Sequence, residues 1–411
     1  MATNDTDEPQ SGVISAGTVA SLRASYFLVT LASLVWVPRI PEIKDALALS
    51  NGQLGRTLMT GGSAALFFSG RIGTLVVKHG SFRTFTWYIP IAFTSALLIG
   101  SATNLITLII GLIVGSFAGI IIFTAVTTQA NTFSHITSSN SLNNLTAVSN
   151  IGSLSAVVIG SGLLTHLTRA QYIIGMNVLL AIGFMIARRG LLTWDYHENS
   201  ENAGVTLPWF SRAVVPMYVL TGAMMCSTVA EFSANDWSAI FTRDELGVGA
   251  PQYLIPFVFF QIGIVLIRFA ANRLSGTLGV GRFVQLFAGS MALIWAFCIF
   301  AASHIPNGHG ALVLATIGFF AAGLGIGPVY PALMNAVVLP GVPKPLVLAR
   351  LFSLVVAAFV FGPGIMGSFA QTFGLDRAIL LPPILLGIVG LLAMKVLASE
   401  SVSSSQDMVK P

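Results

Sequence analysis

Charged side chains are scarce in this sequence. Asp, Glu, Lys and Arg make up 9% of its 411 residues, whereas 55% are hydrophobic, and the mean hydropathy is +0.84. Soluble domains carry about 25% charged residues, so the shortage excludes an ordinary water-soluble fold. The two cysteines, Cys226 and Cys298, lie in separate apolar stretches, which excludes a disulfide framework and a cysteine-based metal site.

Acids and histidines are too few and too scattered to form a catalytic centre. The chain has 15 acidic residues and 6 histidines, and no nucleophile, base or metal constellation can be assembled from them. Its basic residues do not cluster with aromatic residues, as nucleic-acid binding would require. We therefore expect no enzyme activity, no metal, no cofactor other than a proton or another coupling ion, and no nucleic-acid partner.

Long apolar runs are what the sequence does contain. They recur with lengths of about 20 residues, enough to cross a hydrocarbon core of about 30 Å. Runs such as LIVGSFAGIIIF lack the alternation of a barrel strand, so helices are predicted. We place twelve spans at residues 21–38, 53–77, 83–102, 105–129, 145–167, 171–190, 213–238, 252–272, 283–302, 311–334, 346–371 and 377–397.

A polar stretch, TWDYHENSENAG, divides these spans into two sets of six. We predict a tail at 1–20, a six-helix bundle at 21–190, a linker at 191–212, a second bundle at 213–397 and a tail at 398–411. The halves resemble each other weakly, as in FAGIIIFTAVTTQAN and FAAGLGIGPVYPALMN. About twice as many Lys and Arg residues fall on the side of the termini as on the other, which predicts cytoplasmic termini.

One loop carries a family resemblance. GRIGTLVVKHGSFR, between the second and third spans, is similar to the signature Gly-x-Leu-x-Asp-Arg-x-Gly-Arg-Arg of the major facilitator superfamily, although Val77 replaces its acid. The resemblance covers essentially the whole chain. It implies an all-α membrane protein with twelve transmembrane helices in two six-helix pseudo-repeat halves. The residues assigned to the two copies of this loop and the adjacent helix ends are Arg71, Gly73, Lys78, Gly80, Arg83, Arg268, Arg273 and Arg282.

Four further segments resemble the YbjJ-like bacterial inner-membrane permeases, distant relatives of sugar permeases such as the fucose permease. The segments are WVPRIPEIKDAL, AEFSANDW, GLGIGPVYPALMNA and FGPGIMGSFAQTFGLDRA. This resemblance implies a multi-pass permease in the cytoplasmic (inner) membrane and leaves its substrate open.

Polar residues follow single faces of several spans. The fold implied by the resemblance directs spans 1, 4, 7 and 10 towards a central cavity. We interpret the following residues as substrate-cavity candidates: Tyr26, Thr30, Ser33, Ser227, Asn235, Gln261, Asn150 and Tyr330. The alternative is that these groups only form hydrogen bonds between neighbouring helices, often worth less than about 1 kcal/mol each.

Glu231 lies inside the seventh span, on the same stripe as Ser227 and Asn235. An ionised side chain there costs at least roughly 2.5 kcal/mol. Glu231 is therefore the candidate for proton coupling, and a structural ion pair is the alternative. Counting along the helix places Glu231 in its outer third.

Asp236 is expected at the outer rim, beside the membrane edge and within reach of Arg243. Arg39 and Arg56 are expected on the same rim, as the cations available to Glu231. Two asparagines, Asn131 and Asn335, fall near the cytoplasmic ends of spans 4 and 10 and predict an inner gate or an interhelical contact. The glycines and prolines of span 10 predict a bendable helix, and they are Gly323, Gly325, Gly327, Pro328 and Pro331.

These features predict a secondary active transporter that works by alternating access. Proton coupling and a small, neutral, sugar-like substrate are expected, with the lipid bilayer as its environment and a monomer as its state. The alternatives are a drug or metabolite efflux permease and a transport-inactive receptor or scaffold on the same fold.

Overall fold

A computed structural model describes residues 16–137, 141–163, 165–195, 214–306, 308–336 and 344–393. Within these ranges the chain forms helices and no strand, which confirms the all-α fold expected from the unbroken apolar runs. Residues 196–212 of the predicted linker lie outside the described ranges, as do residues 1–15 of the predicted N-terminal tail and the whole predicted C-terminal tail.

The helices before the linker are α1 (Ala16–Leu34), α2 (Ile40–Ala46), α3 (Asn51–His79), α4 (Ser81–Gly100), α5 (Leu105–Thr137), α6 (Ser141–Gly162) and α7 (Arg169–Ala187). Those after it are α8 (Val215–Asp244), α9 (Ile255–Leu278), α10 (Val280–His304), α11 (His309–Ile326), α12 (Val329–Ala336), α13 (Lys344–Phe373), α14 (Leu375–Ala378) and α15 (residues 381–393). Every predicted span coincides with one long helix or with two consecutive helices.

Nine helical stretches of the described chain are long and apolar enough to cross a membrane. Helices α3 and α6 pack against α13 and α9 of the other half, and α8 carries Glu231 and Asp236.

Matching turns join the second membrane span of each half to the third span. Gly80, between α3 and α4, has φ 80° and ψ 146°, and Gly279, between α9 and α10, has φ 77° and ψ 149°. Glycine adopts positive φ without the steric penalty of a Cβ atom. The two copies of the signature loop therefore share one backbone conformation, as an internal repeat requires.

The tenth span is interrupted between α11 and α12, at Gly327 and Pro328. In a continuous helix the carbonyl of Gly327 would accept a hydrogen bond from residue 331, but Pro331 has no N–H. The interruption leaves this carbonyl available to a side chain from another helix.

Candidate functional site

Glu231 lies near the middle of α8, which has 30 residues and continues to Asp244. Its predicted position in the outer third is wrong, because α8 extends beyond the expected end at residue 238. The side chain is partly exposed and shares a helix face with Ser227 and Asn235. The structure therefore places this carboxylate at mid-depth in the bundle.

Arg268 is the cation that interacts with Glu231. It lies near the middle of α9, although the sequence predicted it at the cytoplasmic end of the span. The two side chains interact through their charges without forming a direct ion pair among the described residues. The cation near Glu231 is therefore Arg268, and not Arg39 or Arg56 as expected.

Two hydrogen bonds hold Arg268 in place. Its Nη1 donates to Oδ1 of Asn150 in α6, and its Nε donates to the carbonyl oxygen of Gly327 at 3.1 Å. The second bond satisfies the carbonyl that Pro331 leaves without a helical donor. Arg268 thus links the N-terminal half, through Asn150, to the interrupted tenth span.

Other cavity candidates surround this pair. Nε2 of Gln261 in α9 donates to Oδ1 of Asn235 in α8 at 2.7 Å, and both residues are buried. Tyr330 interacts electrostatically with Glu231. Ser227 is buried one turn before Glu231, and Tyr26 of α1 is also buried. Amides and hydroxyls therefore accompany the two charges.

Two cavity candidates on α1 donate hydrogen bonds to backbone carbonyls instead. The hydroxyl of Thr30 donates to the carbonyl of Ser149 in α6 at 2.7 Å and joins the two helices. Ser33 is exposed and donates to the carbonyl of Thr30. For these two side chains the geometry favours the helix-contact alternative over substrate binding.

Arg39 is completely buried, in the turn between α1 and α2. Its Nη1 pairs with Glu42 at 2.7 Å, its Nη2 donates to the carbonyl of Leu163 at 3.0 Å, and its guanidinium lies over the ring of Tyr172. These bonds tie the turn after α1 to the helices around it. Arg56, by contrast, is exposed on α3.

Asp236 is also buried, with 8% of its surface exposed, which contradicts the predicted rim position. It lies about two turns before the end of α8. It forms no hydrogen bond or ion pair with a described residue, because Arg243 bonds to Asp45 and Asp244 instead. The Oγ of Ser233 and the Nε1 of Trp237, on the same side of α8, also have no partner among the described residues.

The two halves meet closely at one end of the bundle. We call this end, which carries α2 and the α8–α9 connection, the far side, and the end where α1 begins the near side. A Cβ atom on Gly55 of α3 would lie 2.6 Å from the carbonyl oxygen of Pro363 and 2.7 Å from Cα of Gly367, both in α13. Real Cβ atoms do not approach other atoms so closely, so the contact between the two backbones requires glycine at residue 55.

Four charged residues reinforce this contact, and we call them the far-side charged cluster. Lys44 Nζ lies 2.5 Å from Asp244 Oδ2, and Arg243 Nη1 lies 2.7 Å from Asp45 Oδ2. Each pair joins α2 of the N-terminal half to the end of α8. The far side is therefore closed.

The signature-loop side chains are exposed on the near side. They are Arg71, Lys78, Arg83, Arg273 and Arg282, with Gly73 equally exposed. Asn131 is exposed near the end of α5. Asn335 belongs to α12, but its side chain lies outside the described part of the chain. The structure does not bring these residues together with Glu231, with the exception of Arg268.

Sequence analysis missed a carboxylate at the signature loop. Asp195, within the predicted linker, accepts a hydrogen bond from the backbone N–H of Ser81 at 2.6 Å and another from its hydroxyl. Gln129 of α5 also bonds to Ser81, at 2.5 Å, and to both backbone groups of Leu192. An acid therefore stands at the start of α4 even though Val77 replaces the one in the signature.

Comparison with known proteins supports a transporter. No protein-family model matches the chain. An uncharacterised MFS-type transporter of Yersinia pestis is 26% identical over 383 residues, which cover 92% of this chain and 94% of the relative. Membrane protein MosC of Rhizobium meliloti is 22% identical over 370 residues, covering 88% and 86%.

Solved structures share the fold at lower identity. The nucleoside transporter NupG superposes with a TM-score of 0.68 at 14% identity, over 93% of this chain and 98% of that one. A bacterial homologue of the human lysosomal transporter Spinster, in an inward-facing and unoccupied conformation, gives a TM-score of 0.66 at 14% identity, over 92% and 96%. These matches and the nine apolar stretches identify a multi-pass membrane protein.

Proposed function

We propose that this chain, a membrane transporter of the major facilitator superfamily, is a secondary active transporter that couples a proton to the movement of a small, neutral, polar solute. It works in the cytoplasmic (inner) membrane, as a monomer with both termini in the cytoplasm. The observation that carries the proposal is that Glu231 and Arg268 lie near the midpoints of α8 and α9 and interact through their charges, while Arg268 also bonds to the other half.

The closed far side supports an alternating-access mechanism. The backbone contact between Gly55 and Gly367 and the far-side charged cluster join the halves at the far side. If the termini are cytoplasmic, this conformation faces inward. Rocking one half against the other would break the far-side contacts and expose the same central site to the opposite side.

The central charges favour a neutral substrate. Glu231 and Arg268 offset each other, so a solute without net charge adds no uncompensated charge to a poorly hydrated region. The amides of Asn235 and Gln261 and the phenol of Tyr330 can exchange hydrogen bonds with substrate hydroxyl groups. Sugars and nucleosides have this chemistry, and a nucleoside transporter shares the fold.

Proton binding at Glu231 would change how Arg268 is held. An ionised Glu231 attracts Arg268 towards α8, whereas a protonated Glu231 leaves it bonded to Asn150 and to the carbonyl of Gly327. The proton therefore alters the balance of forces at the contact between α6 and α9. This is a means of linking proton uptake to movement of the halves.

Two measurements test the proposal. A thermal-shift screen of the purified protein against sugars, nucleosides and apolar drugs identifies a ligand, because binding to the native state raises stability. Proton movement driven by that ligand is then followed with a pH-sensitive dye inside proteoliposomes. We expect a neutral polar ligand to move protons with the wild-type protein and not with Glu231→Gln.

Glu245→Gln is the matched control, because Glu245 is an exposed acid just beyond the end of α8. It should leave ligand-driven proton movement intact. Proton movement that persists in Glu231→Gln would disprove the coupling role of Glu231. Stabilisation by apolar drugs alone would disprove the substrate class and favour an efflux permease.

A further inference from the structure

An apolar groove opens on the lipid-facing surface at the near side, between the end of α7 and the start of α4. Its volume is about 630 Å³. The walls include Ile182, Met185 and Ile186 of α7, whose side chains are 45–60% exposed. In a membrane-spanning helix such side chains contact acyl chains, so the walls of the groove suit an apolar ligand from the bilayer.

Two adjacent arginines stand at the mouth of this groove. Arg188 and Arg189 follow directly after α7 in a single turn of 3-10 helix. The guanidinium of Arg188 lies 5.3 Å from the ring centroid of Phe82, which also lines the groove. This cation–π contact holds Arg188 at the opening, where a ligand headgroup would lie.

Neither guanidinium has an anionic partner within the described chain. Arg188 and Arg189 form no ion pair and no side-chain hydrogen bond with any described residue. The arginines of the far-side charged cluster and the central site, by contrast, are all bonded. Two neighbouring guanidiniums present planar, multiple N–H donors that match phosphate oxygens.

We propose that this groove is a binding site for an anionic phospholipid. The acyl chains lie along Ile182, Met185 and Ile186, and the phosphate accepts hydrogen bonds from Arg188 and Arg189. Basic pockets between transmembrane helices on the cytoplasmic side bind anionic lipid headgroups by this combination of charge and apolar surface. The assignment needs only that the chain spans a membrane and does not depend on the proposed substrate or on proton coupling.

Lipid titration of the purified full-length protein tests the site. Phosphatidylglycerol, cardiolipin, phosphatidylcholine and inorganic phosphate are added separately, and bound lipid is counted by native mass spectrometry beside the thermal shift. We expect the two anionic lipids to stay bound and to raise the melting temperature, and phosphatidylcholine and inorganic phosphate to do neither. In Arg188→Gln/Arg189→Gln, at least half of the anionic-lipid shift should be lost.

Arg273→Gln/Arg282→Gln is the matched control, since it removes two exposed near-side arginines from the other half and should keep the full shift. An equal effect of phosphatidylcholine, an effect of inorganic phosphate alone, or equal losses in both double variants would overturn the proposal.

A second measurement uses the unaltered protein, in case the double variant fails to fold. Phosphatidylglycerol with a photoactivatable acyl chain is cross-linked to the wild-type protein in vesicles, and the labelled peptides are identified. Labelling concentrated on residues 182–189, and reduced by unlabelled cardiolipin, is the expected result. Labelling spread evenly over all lipid-facing helices would refute the site.

Discussion

The guanidinium of Arg268, in the C-terminal half, donates a hydrogen bond to the side-chain oxygen of Asn150, in the N-terminal half. The same guanidinium satisfies the carbonyl of Gly327 and interacts with Glu231. One side chain thus connects three features of the fold: the contact between the halves, the interruption of the tenth span and the acid at mid-depth.

Arg268→Gln should destabilise the protein, and Glu231→Gln should partly restore it. The single change leaves Glu231 without its cation and weakens two hydrogen bonds, each costing about 1–3 kcal/mol when a buried partner is left unsatisfied. In the double variant the uncompensated charge is absent. Melting temperatures of the four proteins in this double-mutant cycle measure the coupling. Strictly additive effects would show that the two residues do not interact.

Asp236→Asn should raise thermal stability at neutral pH, by about 1 kcal/mol or more. Asp236 is buried without a cation among the described residues, so its ionised form costs more than a neutral amide would. The gain should disappear at acidic pH, where the protonated acid is also neutral. Asp45→Asn is the control of opposite sign, since it removes an ion pair with Arg243. A loss of stability in Asp236→Asn at neutral pH would indicate a stabilising partner for the carboxylate.

The far-side charged cluster should hold at neutral pH and weaken only in acid. Partial burial acts to raise the pKa of Asp244, but hydrogen bonds from Arg243 and Lys44 outweigh it, so this pKa lies below its ordinary value. A lowered pKa contributes stability that is present above the ordinary value and is lost as the pH falls through the lowered one.

The opening of the far side can be measured as a distance between spin labels. We suggest Ser101→Cys and His304→Cys, two exposed far-side positions in different halves, in a background where Cys226 and Cys298 are serine. The distance should stay constant from neutral to mildly acidic pH and increase in Asp244→Asn. The neighbouring change Glu245→Gln should leave it unaltered. A distance that is equal in all of these proteins would rule out a role for the cluster in closure.

Gly55→Ala should prevent full closure of the far side. The added methyl group would overlap the backbone of α13, and overpacking of this kind typically costs about 1–3 kcal/mol. Both a lower melting temperature and a longer spin-label distance are expected. Gly73→Ala, on the same helix with nothing within 4 Å of its added Cβ, should be neutral or slightly stabilising. Identical behaviour of the two variants would argue against the close contact.

The fold was predictable because its signal is local. Each apolar run is long enough to cross a bilayer, and lipid permits only helices or closed barrels. Depth within the helices was less predictable. The seventh span was expected to end at residue 238 and the eighth at residue 272, but α8 and α9 continue to Asp244 and Leu278. Both helices therefore continue past the apolar segments that defined the spans, so Glu231, Asp236 and Arg268 lie further from the helix ends than expected.

Contacts between distant segments could not be predicted from the sequence. Spacing along α8 correctly grouped Glu231 with Ser227 and Asn235, because helical periodicity is local. The Arg268–Asn150 bond joins residues 118 positions apart, and the Asp195–Ser81 bond joins residues 114 apart. No local pattern indicates such pairs. Pro331 offered an indirect signal, since it leaves a carbonyl that some donor must satisfy.

The contact of Gly55 with Gly367 also sets a mechanical stop. Where large side chains meet, two helices can settle at a range of separations by changing rotamers, but two backbones in van der Waals contact cannot be compressed further. Closure of the far side therefore has a sharp end point that is independent of what occupies the central site. The far side would therefore close to the same geometry around every transported solute. The binding energy of the solute could not bring the two halves closer together at that end.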